Sequence, residues 1–145
     1  MDLQFQEITP ENWRESPAVA PAQRGWVSDS MRLLARAYAY REQRSRAYLV
    51  CDGDCPVGMV LYYDCEALNA YDFSQLFIDE HCQGRGYGKA TAEEVLRRMK
   101  ADGKYHGVVL CYIEGNETAR RLYEKLGFQP TGERDGDEIV MRLDW

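Results

Sequence analysis

Gln83-Gly84-Arg85-Gly86-Tyr87-Gly88-Lys89 is the stretch whose reading organises the whole chain. A strand-like run, Phe73-Ser74-Gln75-Leu76-Phe77-Ile78, precedes it and a helical run from Lys89 to about Asp102 follows, so three glycines occupy a strand-to-helix turn. Glycine lets the backbone approach a ligand closely and take up dihedrals closed to other residues. The first amides of the following helix have no intrahelical partner and carry the positive end of its dipole. Such a turn suits an anion, and a pyrophosphate would satisfy it.

Spacing separates the nucleotide-binding turns that fit this description. A P-loop, G-x-x-x-x-G-K-[ST], accounts for Gly88-Lys89, but Gln83 stands at its first glycine and Ala90 at its magnesium-binding hydroxyl. The dinucleotide fingerprint G-x-G-x-x-G fits Gly84 and Gly86 and then meets Lys89 at its third glycine; no ordinary βαβ unit follows. What remains is Q-x-x-G-x-G, which closely resembles the acyl-CoA-binding turn of the GNAT superfamily of N-acetyltransferases. Further on, Asn116-Glu117-Thr118-Ala119-Arg120-Arg121-Leu122-Tyr123-Glu124-Lys125-Leu126-Gly127-Phe128 resembles that family's second signature, N-x-x-A-x-x-L-Y-x-x-x-G-F. The two signatures stand in the family's order and, with the strands before them, cover roughly residues 71 to 130. Within the family, the run from Phe73 to Glu80 ahead of the turn is most similar to the diamine and spermine/spermidine acetyltransferase-like branch.

The remainder of the chain is consistent with one domain over residues 1–145, long enough to bury a core, with 45% hydrophobic residues. No apolar run approaches the ~18 residues of a membrane span, and Met1-Asp2-Leu3-Gln4-Phe5 lacks the regions of a signal peptide, so a cytoplasmic location is expected. Five irregularly spaced cysteines fit reduced thiols better than a disulfide framework, and no repeated C-x-x-C or matching histidine pair suggests a metal. Twenty-four acidic against 18 basic residues, a net charge of −6, argue against a nucleic-acid surface and mildly favour cationic partners.

Read in order, Leu3, Phe5 and Ile8 suggest a first strand, and Thr9-Pro10-Glu11 a cap for a brief helix around Trp13. Ser28 is placed to cap a second helix reaching Gln43, with Met31, Leu34, Ala35 and Tyr38 at helical spacing. Residues 46–51 and 57–63 form a hairpin about Asp52-Gly53-Asp54-Cys55-Pro56. Beyond the glycine turn, Ala92, Val95, Leu96 and Met99 mark a buried helical face, with Gly103 ending the helix. Residues 108–113 are apolar without alternation and predict a fully buried central strand. Asn116 caps the next helix, whose stripe is Ala119, Leu122, Tyr123 and Leu126, and Asp135-Gly136 joins a last hairpin. The order β-α-α-β-β-β-α-β-α-β-β matches the GNAT arrangement. The expected fold is α/β of the mixed α+β kind: a mostly antiparallel sheet of about six or seven strands, helices on both faces, and a splayed central pair.

The resemblance implies a cleft where the strands of residues 72–78 and 108–113 part, with acetyl-CoA as co-substrate. Its pantetheine would use backbone groups near Leu76, Phe77 and Ile78, and Asn116 is a second candidate for that arm besides its capping role. Backbone amides from Gly84, Arg85, Gly86, Tyr87, Gly88 and Lys89, following Gln83, would hold the pyrophosphate, with charge from Arg85 and Lys89. The implied reaction is direct acetyl transfer to a primary amine through a tetrahedral intermediate. Tyr123 stands at the family's thiolate-protonating position, although its place in an apolar stripe also suits a core aromatic. Cys82 has no His-and-acid pair near it in any motif, which speaks against an acyl-cysteine. Asp72 lies eleven residues before Gln83, where some members carry a catalytic glutamate; it is a candidate base or binder of the cationic amine, against a plain strand-end aspartate. Asp64 and Glu66 are candidates for a second ammonium, and Trp26 for the acceptor wall. The expected function is N-acetylation of a small cationic amine of the polyamine or diamine kind. The alternatives are a protein or peptide amine, an amino sugar, or a non-catalytic acyl-CoA sensor, and the resemblance also implies pairing of two copies.

Overall fold

Residues 1–15, 17–25 and 29–145 are described by the computed structural model of the chain. Among these residues seven strands form one sheet: β1 (Leu3–Glu7), β2 (Arg46–Asp52), β3 (Cys55–Cys65), β4 (Ala70–Ile78), β5 (Gly107–Ile113), β6 (Gln129–Asp135) and β7 (Glu138–Asp144). They lie in the order β1-β2-β3-β4-β5-β7-β6. Every pairing is antiparallel except that of β4 with β5. Among the described residues three α-helices pack on it, α1 (Ser30–Ala39), α2 (Tyr87–Asp102) and α3 (Glu117–Lys125). The expected mixed, mostly antiparallel sheet with helices on both faces is therefore present.

The pleat of the sheet divides the core in two. On one face Ala92, Val95, Leu96 and Met99 of α2 pack with Val60, Tyr62, Tyr71 and Phe73, and α3 adds Ala119, Tyr123 and Leu126. On the other face Leu33 of α1 packs with Leu49, Met59, Leu61, Tyr63 and Phe77. α2 stops as its sequence predicts, with Gly103 at a φ of 74° and its amide on the Met99 carbonyl.

The amino-terminal expectations need correction. Thr9 to Arg14 make turns and not a helix: the Thr9 hydroxyl accepts from the Asn12 amide and the Asn12 side chain accepts from the Thr9 amide, a closed local ring that satisfies the cap without propagating it. Trp13, half exposed, contributes no buried face to sustain a helix there. Ser28 lies outside the described residues, and the side chain that caps α1 is that of Asp29, accepting from the Arg32 amide at 2.9 Å. The buried residue of α1 is Leu33; Met31 and Tyr38, read as part of its stripe, face away from the core. α1 ends at Ala39, and residues 41–43 tighten into a separate 3₁₀ turn.

Candidate active site

The site begins with a strand pair that separates. β4 and β5 are paired only at Tyr71 with Val108 and Asp72 with Val109, although β4 runs on to Ile78 and β5 to Ile113. β4 also bends at this point: Leu61 pairs with Gln75 and Tyr62 with Phe73, leaving Ser74 as an extra residue. The backbone of β4 beyond the bulge thus has no sheet partner on the β5 side, the arrangement of an edge that can take an extended ligand. A cleft of about 1040 Å³ occupies the gap and passes between the two faces of the sheet.

At one end of the cleft the glycine turn enters α2. Gly84 and Gly86 have φ of 77° and 85°, in the left-handed region, and no side chain caps the helix. The first intrahelical bond runs from the Ala90 amide to the Gly86 carbonyl, which leaves the amides of Tyr87, Gly88 and Lys89 without intrahelical partners. Tyr87 is buried, its hydroxyl donating to Asp52 at 2.5 Å, so its side chain anchors the turn. Gln83 donates to the Gln23 side chain at 3.0 Å and more distantly to the Ile78 carbonyl, holding the turn against the chain entering α1. Lys89 lines the cleft beside Glu93, whereas Arg85 does not line it.

α3 differs. Asn116 lines the cleft, but its side-chain oxygen accepts from the Ala119 amide at 3.3 Å, so capping takes up that oxygen. Tyr123 packs edge-on against Phe73 and Phe128 with ring centroids 6.2 and 5.6 Å away. It is a core-flanking aromatic that also lines the cleft, and burial pushes its phenol up to about 12. It therefore stays protonated across the physiological range.

Through the gap, on the α1 face, stands Asp72. It lines the cleft without a hydrogen bond or ion pair among the described residues; burial raises its carboxyl to about 6, opposed by the Arg36 charge and helped by that of Glu138. Tyr63 lies directly across from it in the register and donates to Ser74 at 3.2 Å, as Arg36 does at 3.1 Å. Tyr40 stacks on Tyr63 with ring centroids 4.1 Å apart and planes 10° from parallel.

Leu76, Phe77, Ile78, Gln83, Gly84, Gly86, Tyr87, Gly88, Lys89, Asn116, Tyr123 and Asp72 all line this one cleft. Asp64 and Glu66 do not. Asp64 is only 4% exposed, on the opposite face from Asp72, and accepts from Arg44 at 2.7 Å, Arg46 at 2.8 Å and Lys104 at 3.1 Å. Glu66 begins the 3₁₀ turn before β4, away from the cleft. Asp64 is taken up by these partners on the face to which the strand pleat carries it, and Glu66 is exposed in its turn outside the cleft. Trp26 lies outside the described residues. Cys111 is open to the cleft, a correction to the fully buried strand: α1 covers β2 and β3 and does not reach over β5. Arg36, Tyr40, Tyr63, Ser74 and Glu138 are cleft residues that the motifs do not name. The signals were there in the i, i+4 spacing of Arg36 and Tyr40 and in the hairpin register that sets Tyr63 beside Asp72.

A splayed parallel pair inside an antiparallel sheet, with an uncapped glycine turn at its mouth, is the arrangement that the two sequence signatures led one to expect. The chain belongs to the GNAT acetyltransferase family, which its residues 5–128 match. It is 32% identical over 102 residues to a probable spermine N(1)-acetyltransferase of Bacillus subtilis subsp. natto, a match spanning 65% of this chain and 66% of that protein. It is likewise 32% identical over 90 residues to a peptidyl-lysine N-acetyltransferase of Salmonella typhimurium, covering 62% and 54% of the two chains. An acetyltransferase of Thermus thermophilus superposes with a TM-score of 0.79 at 20% identity, covering 100% of this chain and 98% of its own. An N-acetyltransferase of Thermoplasma acidophilum, in complex with coenzyme A, gives 0.76 at 15% identity with both chains fully covered. Among the described residues no helix is long and apolar enough to cross a membrane, and no group of side chains forms a metal cluster.

Proposed function

We propose that this protein transfers the acetyl group of acetyl-CoA directly to a primary amine of a small cationic acceptor, of the polyamine or diamine kind. The observation that carries the reading is the single cleft joining the uncapped α2 amides, the unpaired edge of β4, Tyr123 and the unpartnered Asp72. The pyrophosphate meets the amides of Tyr87, Gly88 and Lys89 and the pantetheine lies along residues 76–78. The amine reaches the thioester from the α1 face, beside Asp72. An aliphatic ammonium has a reference pKa near ~10.4 and must lose a proton before its nitrogen can attack. A carboxyl near 6 is a better acceptor of that proton than one near 4, and its charged form also holds the ammonium in place. The C–N bond forms, the C–S bond breaks as the tetrahedral intermediate collapses, Tyr123 gives its proton to the departing sulfur, and the second proton shed by the nitrogen returns the phenolate to a phenol. The relative of spermine-acetyltransferase name supports the polyamine class.

A free-thiol release assay over spermidine, putrescine, an amino sugar and a lysine peptide, run beside calorimetry with acetyl-CoA, tests the proposal. Spermidine or putrescine should lead the panel, and Asp72→Asn should raise the amine KM or lower kcat with acetyl-CoA affinity unchanged. Acetyl-CoA binding without thiol release on every amine would instead make the domain a sensor.

A further inference from the structure

The stacked rings of Tyr40 and Tyr63 have no role in the chemistry above, yet both line the acceptor side of the cleft. Tyr63 is held fast: it is 5% exposed, fixed by Ser74 through its hydroxyl, and paired with Asp72 across the strands. Tyr40, at the carboxyl end of α1, covers Tyr63 and is itself 41% exposed. Elsewhere the chain lays its own cations on tyrosine faces, Arg41 at 4.3 Å from the Tyr38 centroid and Arg46 at 4.7 Å from that of Tyr62. Among the described residues no arginine or lysine lies over Tyr40 or Tyr63. Arg36, the nearby cation, is turned to Ser74, while Asp72, Asp135 and Glu138 give this part of the cleft a negative balance. A rigid aromatic face without a cation, at a negatively charged mouth, is what an alkylammonium seeks.

We infer that the Tyr40–Tyr63 stack is the specificity-determining element of the acceptor mouth, holding a second ammonium of the acceptor against the open side of Tyr40 while the reacting amine lies at Asp72. This rests on the transferase reading above and deepens it: the acceptor is a molecule with two cationic nitrogens, and a monoamine of equal length is a poorer one.

The test compares putrescine with butylamine on the wild type, Tyr40→Phe and Tyr40→Leu, with putrescine binding in the presence of CoA read by calorimetry. Tyr40→Leu keeps the apolar bulk and loses the π face. It should raise the KM for putrescine about 10-fold with kcat unchanged, and shift butylamine by less than about 2-fold. Tyr40→Phe keeps the stacked ring and its π face and should keep the wild-type preference; a merely structural loss in Tyr40→Leu would impair both amines alike and leave their ratio unchanged. If the Tyr40→Leu enzyme turns over amines with the wild-type ratio of putrescine to butylamine, the stack is not the selector, although the transferase reading stands. If the wild type neither acetylates nor binds putrescine or spermidine, both readings fall.

Discussion

Asp64 and Asp72 sit on adjacent strands, a single register step apart, in opposite surroundings. Asp64 stands across from Tyr71 and Asp72 pairs with Tyr63, so the pleat sends the two carboxyls to opposite faces. Burial alone would push both up. At Asp64 it is outweighed by hydrogen bonds from Arg44 and Lys104 and by the charges of Arg44 and Arg46, which hold the carboxyl below the usual range. Arg44 also grips Asp102 with two hydrogen bonds, tying the end of β3 to the end of α2, and Tyr71 donates to the same Asp102 at 2.5 Å. At Asp72 nothing offsets burial except the more distant Arg36 charge, and the carboxyl rises to about 6. The difference teaches that a carboxylate with all its partners is spent on the fold. One left without partners in a cleft is available to a ligand.

The largest expected effect removes the first member of the pair. Asp64→Ala leaves Arg44, Arg46 and Lys104 crowded together with Asp102 as their nearest remaining anion, and breaking a buried ion pair in this way costs about 3–5 kcal/mol. Because Arg44 and Lys104 reach solvent, the lower end is expected, about 3 kcal/mol, read as a drop in the denaturation midpoint. Acetyl-CoA affinity of the folded fraction should not change. A variant as stable as the wild type would erase the contrast between the two aspartates.

Next comes Tyr123→Phe, which tests whether the cleft side of the comparison carries the chemistry. The phenol acts on charge that develops only as the sulfur leaves, so turnover should fall by about 100-fold or more, about 2.7 kcal/mol of barrier, with acetyl-CoA binding nearly intact. The ring keeps its contacts with Phe73 and Phe128, so stability should hold. Wild-type turnover would return Tyr123 to the core.

What the sequence made legible follows the same division. The glycine turn and both motif helices were readable because local rules fix them: a left-handed φ at Gly84 and Gly86, an Asn cap at residue 116, and an apolar stripe on α2; the parting of the strands was an implication of the family resemblance. Asp72 was placed in the cleft by its spacing from Gln83. Asp64 and Glu66 were misplaced because nearness in sequence was read as nearness in space, while a strand alternates faces at each residue and the hairpin decides which face is which. Tyr40, Tyr63 and Arg36 come from separate elements that only the packing of α1 on β3 brings together, and no single motif spans them. The turn at residues 9–14 was read as a helix because its cap is real and only its continuation is missing.

A smaller effect is expected at the turn itself. Gly86→Val should weaken acetyl-CoA binding by about 10-fold or more, through loss of one or two phosphate hydrogen bonds. A Cβ there would meet nothing within 4 Å, so the loss is conformational, forced by a φ of 85° on a β-branched residue. Gly88→Ala sharpens the point. Its φ is not left-handed and its Cβ would come no nearer than 3.9 Å to Ile78, so affinity close to wild type is expected. Equal losses at both positions, in calorimetry, would mean that bulk and not backbone shape governs the turn.

The smallest effect concerns stability at Asp72 and has the opposite sign from that at Asp64. Its carboxyl holds a proton to about pH 6 when folded and to about 3.9 when unfolded. Between those values the folded state binds more protons than the unfolded one, so stability falls as pH rises from about 4 to 6 and is level above that. For Asp64, whose folded value is depressed, stability is present above the unfolded value and is lost as pH falls through the folded one. A shift of Asp72's size, left unscreened, is worth about 3 kcal/mol at 1.36 kcal/mol per unit, but the group opens on a cleft that solvent reaches. Asp72→Asn should therefore be more stable than the wild type at pH 7 by about 1 kcal/mol, with the gain vanishing near pH 4. Chemical denaturation of both proteins at several pH values between 4 and 7 measures it. A gain independent of pH would assign the effect to packing. A loss at pH 7 would mean that the Asp72 carboxylate is held by a partner such as Arg36, and the two aspartates would then differ only in degree.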